Sequence, residues 1–372
     1  MLLNPNTKTF VAMIATAIIL LTGPTSTRAA TPSTSIYFPP GTGDWVTVDP
    51  ASVGWDTAQL DVALDYAGAQ KSSGVVILHN GKIMAERHWP QNPKPTNAQG
   101  QTNSYYYMHQ GQLANGHSLE DIASAQKSVV STLVSIAQHK GLLKLNDPAN
   151  KHLGAGWSNA SAAQEDKITI RHLITMSSGL TLGLKHEKEP GTKWFYNTPV
   201  YGMSLRAAAA ASSMNNNELT GAWLTNRIGM GDSSWQPRPW ASDHAKANAV
   251  GFVSTARDLA RFGLLIQAGG DWDGQTIIAD KDFLRESLQP SQKMNPRYGY
   301  LWWLNQPYRT NKGQTQMIPA APDDLVAARG ALGRKLYVVP SLGLVVTRLG
   351  DQPEKEFSNE FWKRIMAAAP NN

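Results

Sequence analysis

Ser124 and Lys127 are the residues whose types and spacing could carry out chemistry, because residues 124–127 read Ser-Ala-Gln-Lys. On a helix, residues three positions apart lie on the same face, one turn from each other. A serine hydroxyl is a weak nucleophile that needs an adjacent base, and a desolvated lysine with a lowered pKa can be that base near neutral pH. The pair therefore predicts a serine nucleophile activated by a lysine amine.

The element that must position this pair is a predicted helix over residues 122–140. Lys127 is the only charged residue between Asp121 and Lys140, and a buried lysine is costly unless it is paired or neutral. Apolar residues recur on one side, and the other side carries small hydroxyls where a solvated helix would carry charges, so we expect burial all round. The apolar positions are Val129, Leu133, Ile136 and Ala137, and the hydroxyls are Ser128, Ser131 and Ser135.

The composition is typical of a folded globular protein of 372 residues, with 41% hydrophobic and 17% charged residues. The net charge is +6, but no basic run is dense enough to predict nucleic-acid binding. The absence of cysteine excludes disulfides, thiol catalysis and a lipid-modified N-terminal cysteine. The sequence also lacks the His-Glu-x-x-His metal motif, the Gly-x-Ser-x-Gly elbow, a P-loop and a dinucleotide-binding glycine motif. We therefore expect no metal and no cofactor.

Residues 1–30 are predicted to be an export signal. Lys8 precedes an apolar run over residues 10–21, and small residues end the segment at Ala29 and Ala30. The run is shorter than the roughly 20 residues that span a bilayer, although an uncleaved anchor remains the alternative. We expect a periplasmic or secreted protein with no membrane span once the signal is removed.

Sheet patterns lie near both ends of the chain, and helical patterns lie between them. Asn80-Gly81 separates two β runs and is a strong hairpin signal. Further strands are predicted over 298–304, 333–339 and 344–348, and helices over 54–70, most of 142–250, 254–267 with Ser254 as the cap, and 356–368.

This order predicts an α+β fold, in which an antiparallel sheet built from both chain ends is flanked by helices. Residues 31–141 and 251–372 would form the α/β sheet domain, and residues 142–250 would form an inserted, mainly helical domain. The stretch 91–117 is a long, irregular insertion that contains three consecutive tyrosines at 105–107. Such loops are usually functional or disordered, so it is interpreted either as a surface flap or as part of a substrate rim.

Four stretches resemble the serine β-lactamase and penicillin-binding-protein superfamily. The most similar branch is the one related to class C β-lactamases, which includes esterases, D-amino-acid peptidases and 6-aminohexanoate-dimer hydrolase. The resemblance covers most of the chain from about residue 50 onward and keeps the order of the motifs, and it implies the β-lactamase/transpeptidase-like fold. The stretches are Ser124-Ala-Gln-Lys127, residues 170–179, residues 190–196 with Tyr196, and Tyr298-Gly-Tyr-Leu-Trp-Trp303, the last being most similar to the dimer hydrolase.

The resemblance also implies roles for individual residues. Ser124 would be the acylated nucleophile, Lys127 its base, and Tyr196 the relay that passes a proton to the leaving group. The backbone N–H groups of Ser124 and Ala331 would form the oxyanion hole. Gly330 would allow a close backbone approach of the substrate, and Asn197 is a weaker candidate for substrate binding. The alternative for Tyr196 is a tyrosine packed against the neighbouring aromatic residues.

Two motifs depart from the family pattern. Ala328-Arg329-Gly330 takes the place of Lys-Thr-Gly, so the lysine is missing, and Arg329 would either contact a substrate carboxylate or face solvent. Classical members carry asparagine two residues after the tyrosine, whereas Thr198 occupies that place here and Asn197 directly follows the tyrosine. Both departures weaken the expectation of strong β-lactam turnover and leave the Ser-Lys-Tyr core intact.

The leading hypothesis is an exported serine hydrolase that cleaves an ester or amide bond in a small-molecule or peptide-like substrate through an acyl-enzyme. One alternative is a non-catalytic cell-wall binding module with the same fold, which the altered third motif would permit. The other is a true β-lactamase or D-Ala-D-Ala peptidase.

Overall fold

The computed structural model of the protein describes residues 35–90, 108–239, 241, 248–310 and 313–370. The predicted export signal and residues 91–107 of the predicted insertion lie outside these ranges.

The strands are β1 (Ser72–His79), β2 (Lys82–His88), β3 (His109–Gln112), β4 (Ser118–Asp121), β5 (Ser234–Pro237), β6 (Val250–Ser254), β7 (Asp271–Trp272), β8 (Gln275–Thr276), β9 (Trp303–Leu304), β10 (Tyr308–Thr310), β11 (Gly313–Thr315), β12 (Val326–Arg329), β13 (Lys335–Val339) and β14 (Leu344–Gly350). The helices are α1 (Thr57–Ala69), α2 (Gln126–His139), α3 (Asn150–Leu153), α4 (Ala162–Glu165), α5 (Ile170–Ile174), α6 (Thr198–Ser212), α7 (Asn216–Thr220), α8 (Asn226–Ile228), α9 (Ala256–Gln267), α10 (Lys281–Ser287) and α11 (Phe357–Ala368).

The main sheet has six antiparallel strands in the order β2-β1-β14-β13-β12-β9, so it joins the two ends of the described chain as predicted. β1 and β2 form the predicted hairpin. Its turn residues Asn80 and Gly81 both have positive φ, at 47° and 85°, which is the geometry of a type I′ turn. The division into a sheet domain and an inserted helical domain at 142–250 stays a prediction.

Helices cover both faces of this sheet and exclude water from it. Strand residues such as Val75 and Val346 pack with α1 and α11, where Phe361 and Trp362 are fully buried. Strand residues on the opposite face pack with α2 and α9 in a second, larger cluster. Because the strands are buried on both sides, they carry nearly continuous apolar runs.

Helix α2 is the central helix of the larger cluster, and every residue from Gln126 to Ala137 is buried. The predicted burial on all sides is therefore confirmed. The helix begins later than predicted, because residues 122–125 are not α-helical and Ala123–Ala125 form a short 3₁₀ turn. Ser128 shows why small hydroxyls suit the second face, since its Oγ donates to the carbonyl of Leu301 at 2.9 Å.

A second sheet contains the strand that leads into this turn. Its order is β3-β4-β6-β5, and β4 runs directly into residues 122–125. The short strands and the long sequence separations between partners explain why the residue pattern did not predict this sheet.

Two predicted elements differ from the structure. Only Trp303 and Leu304 of the predicted strand 298–304 are extended, because the chain folds back at Leu301 (φ 61°) and the N–H of Gly299 donates to the carbonyl of Trp302 at 2.9 Å. Ser254 is the last residue of β6, and the side chain of Thr255 caps α9 instead. Among the described residues, no helix is long and apolar enough to cross a membrane.

Candidate active site

Ser124 lies on the tight turn between β4 and α2. Ala123 has φ 53°, in the left-handed region that alanine disfavours, and its N–H donates to Asp121 Oδ1 at 2.8 Å. Ser124 is half-buried between two buried neighbours, so its side chain keeps contact with solvent. A strained backbone of this kind is common where a reactive side chain must be presented in one orientation.

Lys127 is buried beside this serine, with 2% of its surface exposed. Its Nζ lies 2.8 Å from Ser124 Oγ and 3.3 Å from Thr198 Oγ1, and none of the ion pairs formed by the described residues includes it. Burial lowers the pKa of Lys127 well below its usual range, and the positive charge of Arg238 lowers it further. An amine whose charged form is disfavoured, at hydrogen-bond distance from a hydroxyl, is arranged as a proton acceptor requires.

Tyr196 approaches the same pair from the loop that precedes α6. Its ring centroid lies 4.7 Å from Lys127 Nζ. Burial raises the pKa of Tyr196, while a side-chain hydrogen bond with Ser124 and the charge of Arg329 oppose that rise. The structure thus brings Ser124, Lys127 and Tyr196 together, and the phenol is neutral near pH 7.

Aromatic rings form the wall next to Tyr196. Trp194, Tyr298 and Trp303 pack around it, with ring centroids 5.7 to 6.4 Å from the Tyr196 ring. The guanidinium carbon of Arg329 lies 5.4 Å from the centroid of Trp303, in a cation–π contact. Tyr196 is therefore packed against its aromatic neighbours, as the alternative interpretation held, while its hydroxyl also reaches Ser124.

Gly330 lies against the turn that carries Ser124. A Cβ atom at this position would lie 2.2 Å from the carbonyl oxygen of Ile122 and 3.3 Å from Cβ of Ala123, so only glycine lets the two backbones approach this closely. Ala331 follows directly and begins a short 3₁₀ turn, Ala331–Gly333. The backbone at Gly330 and Ala331 therefore runs beside the turn that carries Ser124.

Replacing Gly330 with alanine is expected to destabilise the fold by about 1–3 kcal/mol, because the new methyl group overlaps a backbone oxygen that cannot rotate away. The change should lower the midpoint of urea unfolding monitored by circular dichroism. Gly231→Ala is the matched control, since a Cβ there would meet no atom within 4 Å. Equal midpoints for Gly330→Ala and wild type would contradict the tight packing described here.

A buried ion pair links the two turns of the site. Glu120, in β4, and Arg334, directly after the turn Ala331–Gly333, lie 2.7 Å apart, and both side chains are fully buried. The Glu120 carboxylate also accepts from the hydroxyl of Ser73 and, at 3.1 Å, from the N–H of Gly350. Burial by itself would raise the pKa of Glu120, but the charge of Arg334 and the hydrogen bond from Ser73 help to hold it below its usual value.

Glu86, His88 and His117 form another titratable cluster, on the opposite edge of the main sheet, and their ligand atoms are close enough to invite a metal interpretation. The two imidazole rings are stacked, with centroids 4.1 Å apart and planes 16° apart. A metal ion lies near the plane of each imidazole that binds it, so parallel stacked rings are poorly arranged to share one ion. Arg257 also holds both carboxylate oxygens of Glu86 at 2.7 Å, which makes the cluster a structural charge network.

Comparison with known proteins identifies the family. A family model described as Beta-lactamase matches residues 60–369, most of the chain. The chain belongs to the beta-lactamase family. The curated relative beta-lactamase-like protein str5 of Strobilurus tenacellus is 35% identical over 71 residues, a match that spans 18% of this chain and only 26% of that relative.

Solved structures share the fold of this beta-lactamase family member. A Bacteroides dorei protein provisionally assigned as a beta-lactamase superposes with a TM-score of 0.62 at 14% identity, covering 86% of this chain and 100% of that one. A Bacillus anthracis protein provisionally assigned as a 6-aminohexanoate-dimer hydrolase gives a TM-score of 0.62 at 16% identity, covering 89% of this chain and 88% of that one. The predicted superfamily and its α+β, β-lactamase/transpeptidase-like fold are confirmed.

The second motif of this beta-lactamase family member is rearranged around Lys127. Asn197 is 1% exposed; its amide donates to the carbonyls of Leu180 and Thr181, and its oxygen accepts from Val200 N as the cap of α6. These bonds argue against the predicted contact of Asn197 with substrate. Thr198 instead supplies the hydroxyl at hydrogen-bond distance from Lys127.

The third motif lacks a cation where the family's lysine would stand. Ala328 is buried in the cluster that includes α2, and Arg329 points to the other face of β12, where it contacts Trp303. Arg329 therefore does not replace the missing lysine at the same place. Its guanidinium is half-buried and close enough to lower the pKa of Tyr196.

The sequence did not predict the buried, hydrogen-bonded group next to this site that consists of Asp121, Gln126, Tyr201 and Arg238. Arg238 and Asp121 are 117 positions apart, and no spacing rule connects them. Of these residues, only Gln126 could have been singled out from the sequence, because it is an uncharged polar residue inside the Ser-x-x-Lys stretch of a helix predicted to be buried.

Proposed function

We propose that this member of the beta-lactamase family is a serine hydrolase that cleaves an ester or amide bond through an acyl-enzyme on Ser124, with Lys127 as the base and Tyr196 as the proton relay. The observation that carries the proposal is the 2.8 Å separation of Lys127 Nζ and Ser124 Oγ, with the lysine buried and lacking an acidic partner among the described residues. Because burial disfavours the charged form and no carboxylate holds the amine, Lys127 can accept the proton of Ser124.

In the first half of the reaction, Ser124 Oγ attacks the substrate carbonyl carbon while its proton passes to the neutral amine of Lys127. The developing oxyanion accepts hydrogen bonds from the N–H groups of Ser124 and Ala331, a type of contact worth roughly 3 kcal/mol per donor in transition-state stabilisation. The proton then moves from Lys127 through the Tyr196 hydroxyl to the leaving alcohol or amine. That transfer breaks the carbonyl–heteroatom bond and leaves the acyl group on Ser124.

In the second half, water takes the place of the leaving group. Its proton passes through the Tyr196 hydroxyl to the Lys127 amine as the water oxygen adds to the acyl carbon. Lys127 then returns the proton to Ser124 Oγ as the bond from that oxygen to the acyl carbon breaks and the carboxylic acid departs. The buried position of Lys127 supports both steps, because the amine returns to its neutral form when it gives up each proton.

The surroundings favour simple esters or amides over β-lactams as substrates. The position of the third-motif lysine is occupied by Ala328, and the asparagine position of the second motif is occupied by Thr198. The wall of Trp194, Trp303 and Tyr298 offers an apolar, aromatic surface to an acyl or leaving group. Substrates of this kind would gain binding free energy from apolar burial.

Export is part of the proposal. Residues 1–30 carry the basic start, the apolar run and the small-residue end of a secretory signal. A periplasmic or secreted location would give the enzyme access to extracellular or cell-wall-derived esters and amides.

A fluorophosphonate probe tests the assignment directly, because it reacts with an activated serine. We expect the probe to label wild type, with the added mass on the peptide that contains Ser124, and to leave Ser124→Ala unlabelled. Equal labelling of the two proteins would reject the proposed nucleophile. Survival of peptidoglycan binding in Ser124→Ala, with no esterase activity in wild type, would favour the cell-wall binding module instead.

Tyr196→Phe is expected to lower kcat on p-nitrophenyl acyl esters by about 10²-fold, because proton transfer by a positioned group contributes roughly that much. The loss should be smaller for a p-nitrophenyl ester than for an anilide, since the better leaving group needs less protonation. Tyr66→Phe removes a hydroxyl far from the site, on α1, and should keep wild-type rates. Unchanged kinetics in Tyr196→Phe on both substrates would remove the relay from the mechanism.

A further inference from the structure

Tyr201 is a buried residue of α6 whose ring faces the amine of Lys127. The ring centroid lies 4.1 Å from Lys127 Nζ, closer than the ring of Tyr196 at 4.7 Å, and Tyr201 is 1% exposed. Tyr201 follows Thr198 by three positions, so both side chains lie on the same face of α6. Thr198 Oγ1 is 3.3 Å from the same nitrogen. One face of α6 therefore presents a hydroxyl and an aromatic ring to the amine.

These contacts fix the direction in which the amine can accept a proton. A neutral amine has one lone pair and two N–H groups, and the lone pair must point at Ser124 Oγ, 2.8 Å away, to take its proton. The two N–H groups then point toward the oxygen of Thr198 and the ring face of Tyr201, since a ring face accepts an N–H weakly through its π electrons. Together, Thr198 and Tyr201 orient the lone pair toward the serine.

The ring of Tyr201 has a second effect once the proton has moved. Nζ is then an ammonium, and no carboxylate in the described part of the chain forms an ion pair with it. An aromatic face attracts a cation, and the attraction is stronger in a desolvated site. Because the positive charge develops only as Ser124 gives up its proton, this attraction stabilises the transition state more than the ground state.

Hydrogen bonds hold the ring of Tyr201 in place. Its hydroxyl accepts from Nε2 of Gln126, and Oε1 of Gln126 accepts from Phe252 N at 2.8 Å and from Arg238 Nη2 at 3.0 Å. Burial raises the pKa of Tyr201 above its usual value, so the hydroxyl stays neutral. The contact with Lys127 is therefore made by a fixed, uncharged ring.

The other charged and titratable groups around the amine do not supply a counter-ion for it. The two carboxylate oxygens of Asp121 each accept from Arg238 at 2.6 Å, so this carboxylate is already paired. The remaining groups are cations or neutral phenols. The full set is Asp121 on β4, Tyr196 on the loop before α6, Tyr201 on α6, Arg238 after β5, Tyr298 before β9 and Arg329 on β12.

We propose that Tyr201 is a positioning residue whose ring face orients the Lys127 amine toward Ser124 and stabilises the ammonium that forms there. This inference rests on the proposed function, in which Lys127 is the base. In that step the O–H bond of Ser124 breaks, an N–H bond forms on Lys127 Nζ, and the electron pair of Oγ forms the bond to the substrate carbonyl carbon.

Tyr201→Leu tests the proposal through the pH dependence of hydrolysis of p-nitrophenyl acyl esters. Without the ring the ammonium loses an attraction, so the pKa of Lys127 should fall, and the acid limb of kcat/KM should move to lower pH by about one unit. The alkaline plateau of kcat should drop about tenfold, because the amine becomes a weaker and less well oriented base. KM should change little, since the ring is buried.

Two further replacements at this position separate the ring from the hydroxyl. Tyr201→Phe keeps the ring and loses only the bond to Gln126, so it should restore the limb to its wild-type position and recover most of kcat. A ring-fluorinated phenylalanine at position 201 keeps the shape of phenylalanine and withdraws electron density from the face. It should move the limb to lower pH relative to Tyr201→Phe. If Tyr201→Leu does not fold, this pair carries the test.

Tyr337→Leu is the matched control. Tyr337 is a fully buried tyrosine on β13, its hydroxyl donates to Ser358 Oγ at 3.0 Å, and it packs in the cluster with α1 and α11. Its loss should leave the limb in place. An equal loss of activity at all pH values in Tyr201→Leu, or identical limbs in the phenylalanine and fluorinated variants, overturns the inference.

Fluorophosphonate labelling separates this failure from failure of the proposed function. Labelling of Ser124 in wild type together with an unmoved limb in Tyr201→Leu refutes the role of Tyr201 alone. Absence of labelling in wild type refutes the catalytic assignment on which that role depends.

Discussion

Ser124→Ala is expected to lower kcat/KM on p-nitrophenyl acyl esters by at least about 10³-fold, because the acyl-enzyme cannot form without the hydroxyl. The substitution removes one oxygen from a half-buried side chain at the end of a strained turn, so the fold should remain intact. Initial-rate kinetics on purified protein, with circular dichroism to verify folding, measures the effect. The small rate that remains would come from the oxyanion donors and the bound substrate geometry.

Ser131→Ala is the matched control for this loss. Ser131 is a buried serine on the same helix, and its hydroxyl has no hydrogen-bond partner within the described part of the chain. Alanine should be accepted there with wild-type kinetics, because no bond is lost. Retention of more than a tenth of the wild-type rate in Ser124→Ala would show that another group is the nucleophile.

Lys127→Met is expected to lower kcat by about 10²–10⁴-fold, the usual contribution of a general base. Methionine fills a buried, nearly isosteric space without a charge, so the loss should appear in catalysis more than in stability. Lys140→Met, at the exposed end of the same helix, is the control and should leave the rate unchanged.

The pH profile gives this substitution a signature. Burial holds the pKa of Lys127 well below its usual range, and the neutral amine is the form that accepts a proton, so wild type should lose activity as the pH falls through that lowered pKa. In Lys127→Met the residual rate should lose this acid limb. A residual rate that keeps the wild-type profile would place the essential titration on another group.

Local patterns were sufficient to predict the parts of the fold that depend on neighbouring residues. Asn80-Gly81 fixed the first hairpin because few other residues adopt two consecutive positive φ values. Ser124 and Lys127 were found together because a separation of three residues already places two side chains on one face. The buried character of α2 followed from small hydroxyls in place of charges.

The failures came where tertiary contacts decided the outcome. Residues 298–302 have the composition of a strand, but Gly299 packs so tightly that a Cβ would lie 2.0 Å from the carbonyl oxygen of Ser287, and the chain turns instead. Asn197 was a weaker candidate for substrate binding, yet its amide donates to two buried backbone carbonyls. Tyr196 needed the family resemblance, since nothing in its local sequence separates a relay from a packed aromatic residue.

The ion pair between Glu120 and Arg334 affects how the site unfolds. It connects strand β4, which leads to Ser124, with the segment that follows the turn Ala331–Gly333, and both charges are buried. If either segment unfolded locally, the charged side chain of the other would remain buried without its partner, at a cost of several kcal/mol. The two turns should therefore separate only when the whole molecule unfolds, so amide hydrogens of both turns would exchange with solvent through the same global event.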